Sequence, residues 1–391
     1  MKSLNSYINE GLADWGEDNA LNKKISKQTS KSVIKKEITD WIVNNTNGRI
    51  YKNKLKFNFD TNPITIDYEG DIILRWDVDS LTNGLFQWGH VSNSFSCGGT
   101  MITSLEGAPE KCDIFYCAGT DIESLEGSPE NVSEFKCTNC PKLKTLEGAP
   151  KKAKIFYCEY CSGLESLKGG PVSSNIFSCG WCENLKSLEG CPQEALNVSC
   201  RNCVKLTSLK GGPKQVTGNF DCSYTGIKNL KGGPIKAKNY DCHSCKNLVS
   251  LEGGPESVML HFDCYNCPKL KSLEGGPKYI DKMADTLYDC SGTGIKNLKG
   301  GPEIIEKFIC NGCEGLESLE GGPSIITRKF ELVDCPKLKS LKHMALKDNY
   351  IFMLHGTPIE DVGDLYKSNV KKIYFSECPA HDLMIKYNDK K

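Results

Sequence analysis

A short punctuation, Gly-X-Pro or Gly-Gly-Pro, recurs along most of the chain and limits what it can fold into. A unit of about 21 residues holds one short alternating strand and a turn, too little to bury its own apolar face. Stacking against neighbouring units buries that face, so the product is a solenoid. The Gly-Gly-Pro return leaves no room for a helix, and we expect extended or polyproline-like outer segments. The successive spacings run from 20 to 25 residues, and the punctuation ends at Pro109, Pro129, Pro150, Pro171, Pro192, Pro213, Pro234, Pro255, Pro277, Pro302 and Pro323.

A typical unit carries a Phe-x-Cys strand, then a second cysteine, then two leucines. The second cysteine is followed by leucine after two residues, as from Cys140 to Leu143. Where threonine replaces it, the spacing is one residue shorter, as from Thr120 to Ile122. This coupling resembles the leucine-rich repeats, in which Cys and Asn at the polar position follow the same rule. The resemblance covers about residues 92–378, and it departs from the family in its phenylalanines, its threonines and its lack of an outer helix.

The resemblance and the repeat together predict a mainly β fold, a leucine-rich-repeat solenoid of 12–14 short rungs with a small α+β N-terminal cap. We divide the chain into a polar N-terminal arm (1–29), the cap (30–91), the regular solenoid (92–344), and degenerate repeats with a C-terminal cap (345–391). We expect the arm to be mobile. The cap should contain a helix over 30–46 and strands over 55–59, 63–68 and 71–76. One helical face would carry Val33, Ile34, Ile38, Trp41 and Ile42.

Composition narrows the classes of partner and compartment. Lysine plus arginine number 49, as do aspartate plus glutamate, so the formal net charge is zero. That balance disfavours nucleic acid and anionic membranes as partners. No apolar run approaches the ~18 residues that span a bilayer. The N-terminus lacks a signal-peptide core, so we expect a reducing, cytoplasmic location and no disulfide scaffold.

The 22 cysteines therefore need another explanation. Seven C-x-x-C pairs suggest zinc, since paired thiols at this spacing are common zinc ligands. Three observations favour a buried ladder of thiols instead. The first cysteine takes an inward strand position, threonine replaces the second four times, and sulfurs of stacked rungs lie about a strand spacing apart. We predict no metal and no redox role.

No motif of catalysis is present. The six histidines have no ligand or catalytic spacing. The Gly-Gly-Pro turns place proline where a phosphate-binding loop needs a donating N–H. We predict that the protein is not an enzyme and needs no cofactor.

Partners of leucine-rich repeats usually bind the concave strand face, so the outward positions of each strand are the candidate site. Exposed aromatic side chains there are typical interface anchors. Four consecutive rungs also carry aspartate at one position, and like charges about 4.8 Å apart repel. The row would attract a basic protein, or it merely keeps the face soluble. The candidate partner-binding residues are Tyr116, Tyr157, Tyr160, Trp181, Tyr224, Asp221, Asp241, Asp263 and Asp289.

We therefore predict a non-enzymatic scaffold for protein–protein interaction. An alternative comes from the first dozen residues, MKSLNSYINEGL, which are similar to N-terminal segments of tailed-phage proteins, including internal proteins of the head. In those, a prohead protease cuts after a glutamate, and Ile8-Asn9-Glu10 before Gly11 fits that form. Glu10 would then be a processing site and the chain a virion-associated or packaged protein. The same residues also fit an ordinary amphipathic helix.

Overall fold

The computed structural model describes residues 20–48, 50–280, 285–344, 350–368 and 370–389. Among them are two α-helices, α1 (Ala20–Asn45) and α2 (His381–Asn388), and 3₁₀ turns at Lys52–Lys54 and Leu365–Lys367. The strands are β1 (Leu55–Asn58), β2 (Ile64–Tyr68), β3 (Ile72–Ile73), β4 (Phe86–Val91), β5 (Ser94–Ser96), β6 (Ile114–Tyr116), β7 (Asn131–Lys136), β8 (Lys152–Tyr157), β9 (Ile176–Ser178), β10 (Glu194–Ala195), β11 (Asn197–Ser199), β12 (Gln215–Val216), β13 (Asn219–Asp221), β14 (Lys236–Asp241), β15 (Ser257–Asp263), β16 (Tyr279–Ile280), β17 (Leu287–Asp289), β18 (Ile304–Ile309), β19 (Ile325–Glu331), β20 (Ile351–His355) and β21 (Lys372–Ser376).

One 16-stranded parallel sheet runs the length of the solenoid. Its order is β21-β20-β19-β18-β17-β15-β14-β13-β11-β9-β8-β7-β6-β5-β3, with β16 paired to β15. Each strand pairs with the equivalent strand of the next rung, and the core positions stay in register, as Phe156 with Phe177 and Phe177 with Val198. This architecture confirms the predicted mainly β solenoid and its stacked rungs.

The core of each rung is built from the predicted inward positions. In the rung of Phe177, the side chains of Phe177, Cys179, Cys182, Leu185 and Leu188 are all fully buried. The phenylalanines form a stack along the solenoid. Between Phe95 and Phe177, neighbouring ring centroids lie 5.2–5.7 Å apart and the planes differ by 9–11°.

Of the extended or polyproline-like conformations that we expected for the return segments, several adopt the extended one and form short strands. β10 pairs with β12 in a small sheet of their own, and the longer strands, such as β8, extend towards the same side. The residues after the proline turn inward there, as Ala153 and Val216 do. Short hydrogen-bonded strands form because a second buried row needs its backbone groups paired from rung to rung.

The N-terminal segment does more than cover the first rung. β1, β2 and β4 form a three-stranded sheet, whereas β3 pairs with β5 and so begins the long sheet itself. Helix α1 starts at Ala20, ten residues before the predicted start, and it ends before Gly48 as expected. Ile38 and Ile42 are buried, but Val33, predicted on the same face, is 59% exposed.

Both ends of the long sheet are covered by side chains or backbone from neighbouring elements. At the N-terminal end, Asn47 donates its N–H to the Ile73 carbonyl. At the C-terminal end, the side-chain amide of Asn388 donates to the Ile373 carbonyl and accepts from the Ile373 N–H. The Asn388 amide thus pairs with the outer edge of β21 as a neighbouring strand would.

No helix in the described part of the chain is both long enough and apolar enough to cross a membrane.

Candidate functional site

The strand face, defined here as the outward side chains of β5–β9, β11, β13–β15 and β17–β20 and of the turns that follow these strands, contains all nine predicted partner-binding residues. They form two rows along the solenoid. Tyr116, Tyr157 and the four aspartates lie between the buried aromatic residue and the first cysteine, while Tyr160, Trp181 and Tyr224 lie in the turn before the second cysteine or its threonine.

The turn row has an unusual backbone conformation. Tyr160, Trp181 and Tyr224 have φ angles of 58°, 61° and 56°, in the left-handed region. Glycine occupies the equivalent position in other rungs, as at Gly119 and Gly292. Asparagine and glycine tolerate this conformation, whereas a bulky side chain there costs about 1 kcal/mol or more. Three aromatic residues are therefore retained where the fold would favour smaller ones.

Two of these aromatic side chains form a pair on the surface. The rings of Tyr160 and Trp181 stack with centroids 5.6 Å apart and planes 11° from parallel. The two residues are 52% and 43% exposed. Stacking holds each ring in one orientation, so a partner that binds them loses little side-chain entropy.

Tyr224 belongs to a polar aromatic cluster that sequence reasoning missed. The Arg201 guanidinium lies 5.2 Å from its ring centroid, and the His243 ring packs edge-on at 4.9 Å. On the other side, His243 stacks on Tyr265 at 4.5 Å. The four residues of this cluster lie one or two positions after the first cysteine of their rungs. Alignment of the repeats could therefore have predicted that they lie side by side.

Tyr116 and Tyr157 are half-buried, less exposed than the turn row. Lys136 lies between them, its ammonium 4.9 Å and 5.5 Å from the two ring centroids. The same ammonium forms an ion pair of 2.7 Å with Glu134. The charge of Lys136 is thus compensated within its own rung.

A row of isoleucines beside these tyrosines was also missed. Ile114, Ile155 and Ile176 precede the buried phenylalanines and are only half-buried. They pair in register with Glu134 and with each other across β6–β9. The strict alternation of the strand could have assigned them outward, because they flank a buried residue.

The four aspartates lie side by side on neighbouring strands. Asp221 pairs in register with Asp241, Asp241 with Asp263, and Asp263 with Asp289. In each, Oδ1 accepts a hydrogen bond from the backbone N–H two residues later, at 2.9–3.2 Å. His243 Nδ1 lies 2.6 Å from Asp241 Oδ1. Within the described chain, no lysine or arginine forms an ion pair with this row.

Crowding of these carboxylates changes their titration. Burial, followed by the charges of Asp289 and Asp241, raises the pKa of Asp263 to about 8. Burial also raises the pKa values of Asp221 and Asp289. A carboxyl group between two like charges keeps its proton longer, since ionising it adds a third charge to the row.

The outer row of the proline turns provides a contrast. There, lysine and glutamate of neighbouring rungs pair, as Lys168 with Glu147 at 2.8 Å and Lys210 with Glu189 at 2.9 Å. Repetition of a rung therefore does not by itself produce unpaired like charges. The acidic row differs from the outer row in having no ion pair with lysine or arginine among the residues that the structure describes.

The cysteines form a hydrogen-bonded ladder. Eight second-position thiols donate to the carbonyl of the first cysteine of the preceding rung at 3.1–3.4 Å; they belong to Cys140, Cys161, Cys182, Cys203, Cys245, Cys267, Cys313 and Cys335. In the rungs with threonine, Oγ1 donates to the carbonyl of its own first cysteine, at 2.7 Å for Thr120 and Thr225. Thiol and hydroxyl thus serve the same acceptors.

One pair departs from the spacing argument that we used against zinc. The sulfurs of Cys310 and Cys313 lie 3.0 Å apart within a single rung. A strand spacing separates the sulfurs of different rungs, but it does not separate these two sulfurs of one rung. Among the described residues, no group of three or more His, Cys, Asp or Glu side chains is arranged to hold a metal ion.

We expect the thiols to react slowly in the native protein. All 22 cysteines are free and buried, and only Cys112, Cys191 and Cys378 have measurable exposure, of 5–7%. Burial also raises the pKa values of Cys112, Cys191 and Cys378, to about 12 for Cys112, which reduces the amount of reactive thiolate. Titration with a thiol reagent should show at most about three fast groups and all 22 after denaturation. Rapid reaction of many groups, or one zinc per chain by elemental analysis, would contradict the ladder.

Glu10 and the segment similar to tailed-phage proteins lie outside the described residues, so cleavage there stays a prediction.

Comparison with known proteins adds one structural likeness. No protein-family model and no curated protein matches the chain. Among solved structures, the chain is similar to a leucine-rich repeat protein from Bacteroides ovatus ATCC 8483, with 14% sequence identity, 85% of this chain and 100% of that chain covered, and a TM-score of 0.39. By its own parallel sheet, 21-residue rungs and buried Leu and Cys positions, the chain is a leucine-rich-repeat-like solenoid.

Proposed function

We propose that this protein is a non-enzymatic interaction scaffold that binds another protein through its strand face. The observation that carries the proposal is the left-handed backbone of Tyr160, Trp181 and Tyr224. Bulky residues held in such a conformation by the surrounding structure are concentrated at functional sites. Large, exposed and pre-oriented aromatic side chains are the typical anchors of protein interfaces.

The acidic row supports the same face and the same class of partner. Its unpaired carboxylates would speed the approach of a basic protein, and the effect would weaken with salt. The free thiols fit a reducing compartment, which is the location that we propose.

A double variant, Tyr160→Asn with Trp181→Asn, tests this proposal. Asparagine already occupies the equivalent turn position at Asn139 and Asn202, also with positive φ, so the fold should keep its melting temperature. Partner capture from the native host, quantified by mass spectrometry, should fall at least tenfold because the two anchors are gone.

Tyr279→Ala is the matched control. Tyr279 is 70% exposed but lies in β16, which pairs with a return segment rather than at the centre of the strand face. Its capture should equal that of the natural chain. If the double variant folds normally and still captures every protein, the strand face is not the binding site.

The packaged-protein alternative rests on Ile8-Asn9-Glu10 alone. It stays a prediction, and abundant peptides of this chain in purified virus particles would favour it over a cellular scaffold.

A further inference from the structure

Two outward rows run along the strand face, one directly before and one directly after the buried core residue of each strand. Their side chains change from mostly apolar to polar and acidic along the solenoid. On β6–β9 they carry Ile114, Tyr116, Ile155, Tyr157 and Ile176, which we call the apolar zone. On β13–β17 one of the same rows carries Asp221, Asp241, Asp263 and Asp289, which we call the acidic zone. Between them, β11 presents the neutral side chains of Asn197 and Ser199.

We propose that the partner binds as one continuous segment, aliphatic in one part and basic in another, that lies along the solenoid axis over both zones. This inference rests on the proposed function and adds the chemistry of the partner to it.

The shape of the surface favours a segment. Strands β6, β9, β11, β13 and β17 are three residues long, so the strip is about 10 Å wide. The nine strands from β6 to β17 in the long sheet have eight spacings and cover about 40 Å. A helix is about 10 Å across, and an extended chain of about 12 residues spans 40 Å. A strip of these dimensions matches one polypeptide segment better than a globular surface.

The charges of the face determine the direction of the segment, because its basic part must lie over the acidic zone. Inside the apolar zone, Lys136 and Glu134 neutralise each other at 2.7 Å. Beyond the acidic zone, on β18 and β19, Lys307 pairs with Asp285 and Lys329 with Glu331. At the position between the buried core residue and the first cysteine, the charged residues of the described chain that lack an ion pair with lysine or arginine are therefore the four aspartates. Each of these aspartates uses Oδ1 for a backbone N–H, so Oδ2 is available to a lysine or arginine of the partner.

Synthetic peptides with a fluorescent label provide the test. One carries a leucine block, a short Gly-Ser spacer and a block of four lysines. Two others have either block replaced by Gly-Ser. The two-block peptide should bind the full chain at least tenfold more tightly than either single-block peptide, because the second contact becomes intramolecular.

Variants assign each block to its zone. At pH 9, above the pKa of about 8 of Asp263, the pair Asp241→Asn and Asp263→Asn should reduce the affinity of the two-block peptide to that of the leucine block alone, and should remove most of its salt dependence. The pair Ile155→Ser and Tyr157→Ser should reduce it to that of the lysine block alone. Glu147→Gln with Glu189→Gln removes the same charge from the outer row and should change nothing. Melting curves of all variants confirm folding.

Equal binding of the two-block and lysine-only peptides would overturn the proposal and leave only non-specific attraction. Retention of affinity in either zone variant would overturn it as well. Dimerisation of the chain that is lost in the same variants would show that a second copy occupies the face. If a native partner is lost from Tyr160→Asn/Trp181→Asn but not from the aspartate pair, the scaffold function stands and the bipartite segment does not.

Discussion

Replacing Phe177 with alanine is expected to lower the free energy of unfolding by about 3–5 kcal/mol. Phe177 is fully buried in β9, its ring stacks 5.6 Å from Phe156, and its partner on β11 is the smaller Val198. The void would lie in the middle of the array, where a weakened rung loses contact with both neighbours. Urea denaturation followed by circular dichroism measures the loss.

Trp181→Ala, in the same rung, is the control. Trp181 is 43% exposed and its ring contacts Tyr160 on the surface, so only the stacking, worth about 0.5–1.5 kcal/mol, is lost. Alanine at this position is still strained in the left-handed conformation, so it recovers little free energy. We therefore expect a small net loss in the free energy of unfolding. If Trp181→Ala unfolds as early as Phe177→Ala, the assignment of inward and outward faces is wrong.

The second large effect is a dependence of stability on pH that Asp263 governs. Its pKa is 3.8 in the unfolded chain and about 8 in the folded one. Between these values the folded state keeps a proton that the unfolded state has released, so the free energy of unfolding falls as pH rises from 4 to 8. One pKa unit corresponds to about 1.4 kcal/mol, and solvent screening of this half-buried row reduces the total to about 2–4 kcal/mol.

Asp263→Asn isolates this contribution, because an amide does not titrate. The variant should match the natural chain near pH 4 and become more stable than it by about 2–4 kcal/mol near pH 8. Glu147→Gln, in the outer row, removes an exposed carboxylate and should show no such trend. A constant difference between Asp263→Asn and the natural chain across this range would mean that Asp263 ionises normally.

The inward positions could be predicted from sequence because the strand period of two and the 21-residue repeat both act on the same residues. The positions of Phe135, Cys137, Leu143 and Leu146 carry an apolar residue or cysteine in each regular copy, so every unit indicates the same buried side. Val33 was wrongly assigned to the buried side of the helix. The helix is not repeated in the chain, so no second copy could show which of its residues are buried.

The outward placement of the candidate residues could be predicted from the sequence, but their conformations and contacts could not. Tyr160 and Trp181 could be assigned outward, yet their left-handed backbone was readable only by aligning them with Gly119 and Gly292. The contacts of His243 with Tyr224 and Tyr265 depend on side-chain rotamers, which no repeat pattern specifies. The raised pKa of Asp263 likewise depends on burial, which the alternating pattern of a strand does not measure.

The thiol ladder has a consequence for how such an array can grow. The thiol of a second cysteine donates to the carbonyl of the first cysteine in the preceding rung. Cys161 donates in this way to the Cys137 carbonyl, and Cys182 to the Cys158 carbonyl. A duplicated unit would therefore arrive with one donor and one acceptor and would restore every bond that its insertion interrupts. A disulfide-bonded fold cannot gain units in this way, because each added cysteine needs a second cysteine at disulfide distance. The solenoid can thus gain or lose whole units while the pattern of thiol–carbonyl hydrogen bonds in its core stays the same.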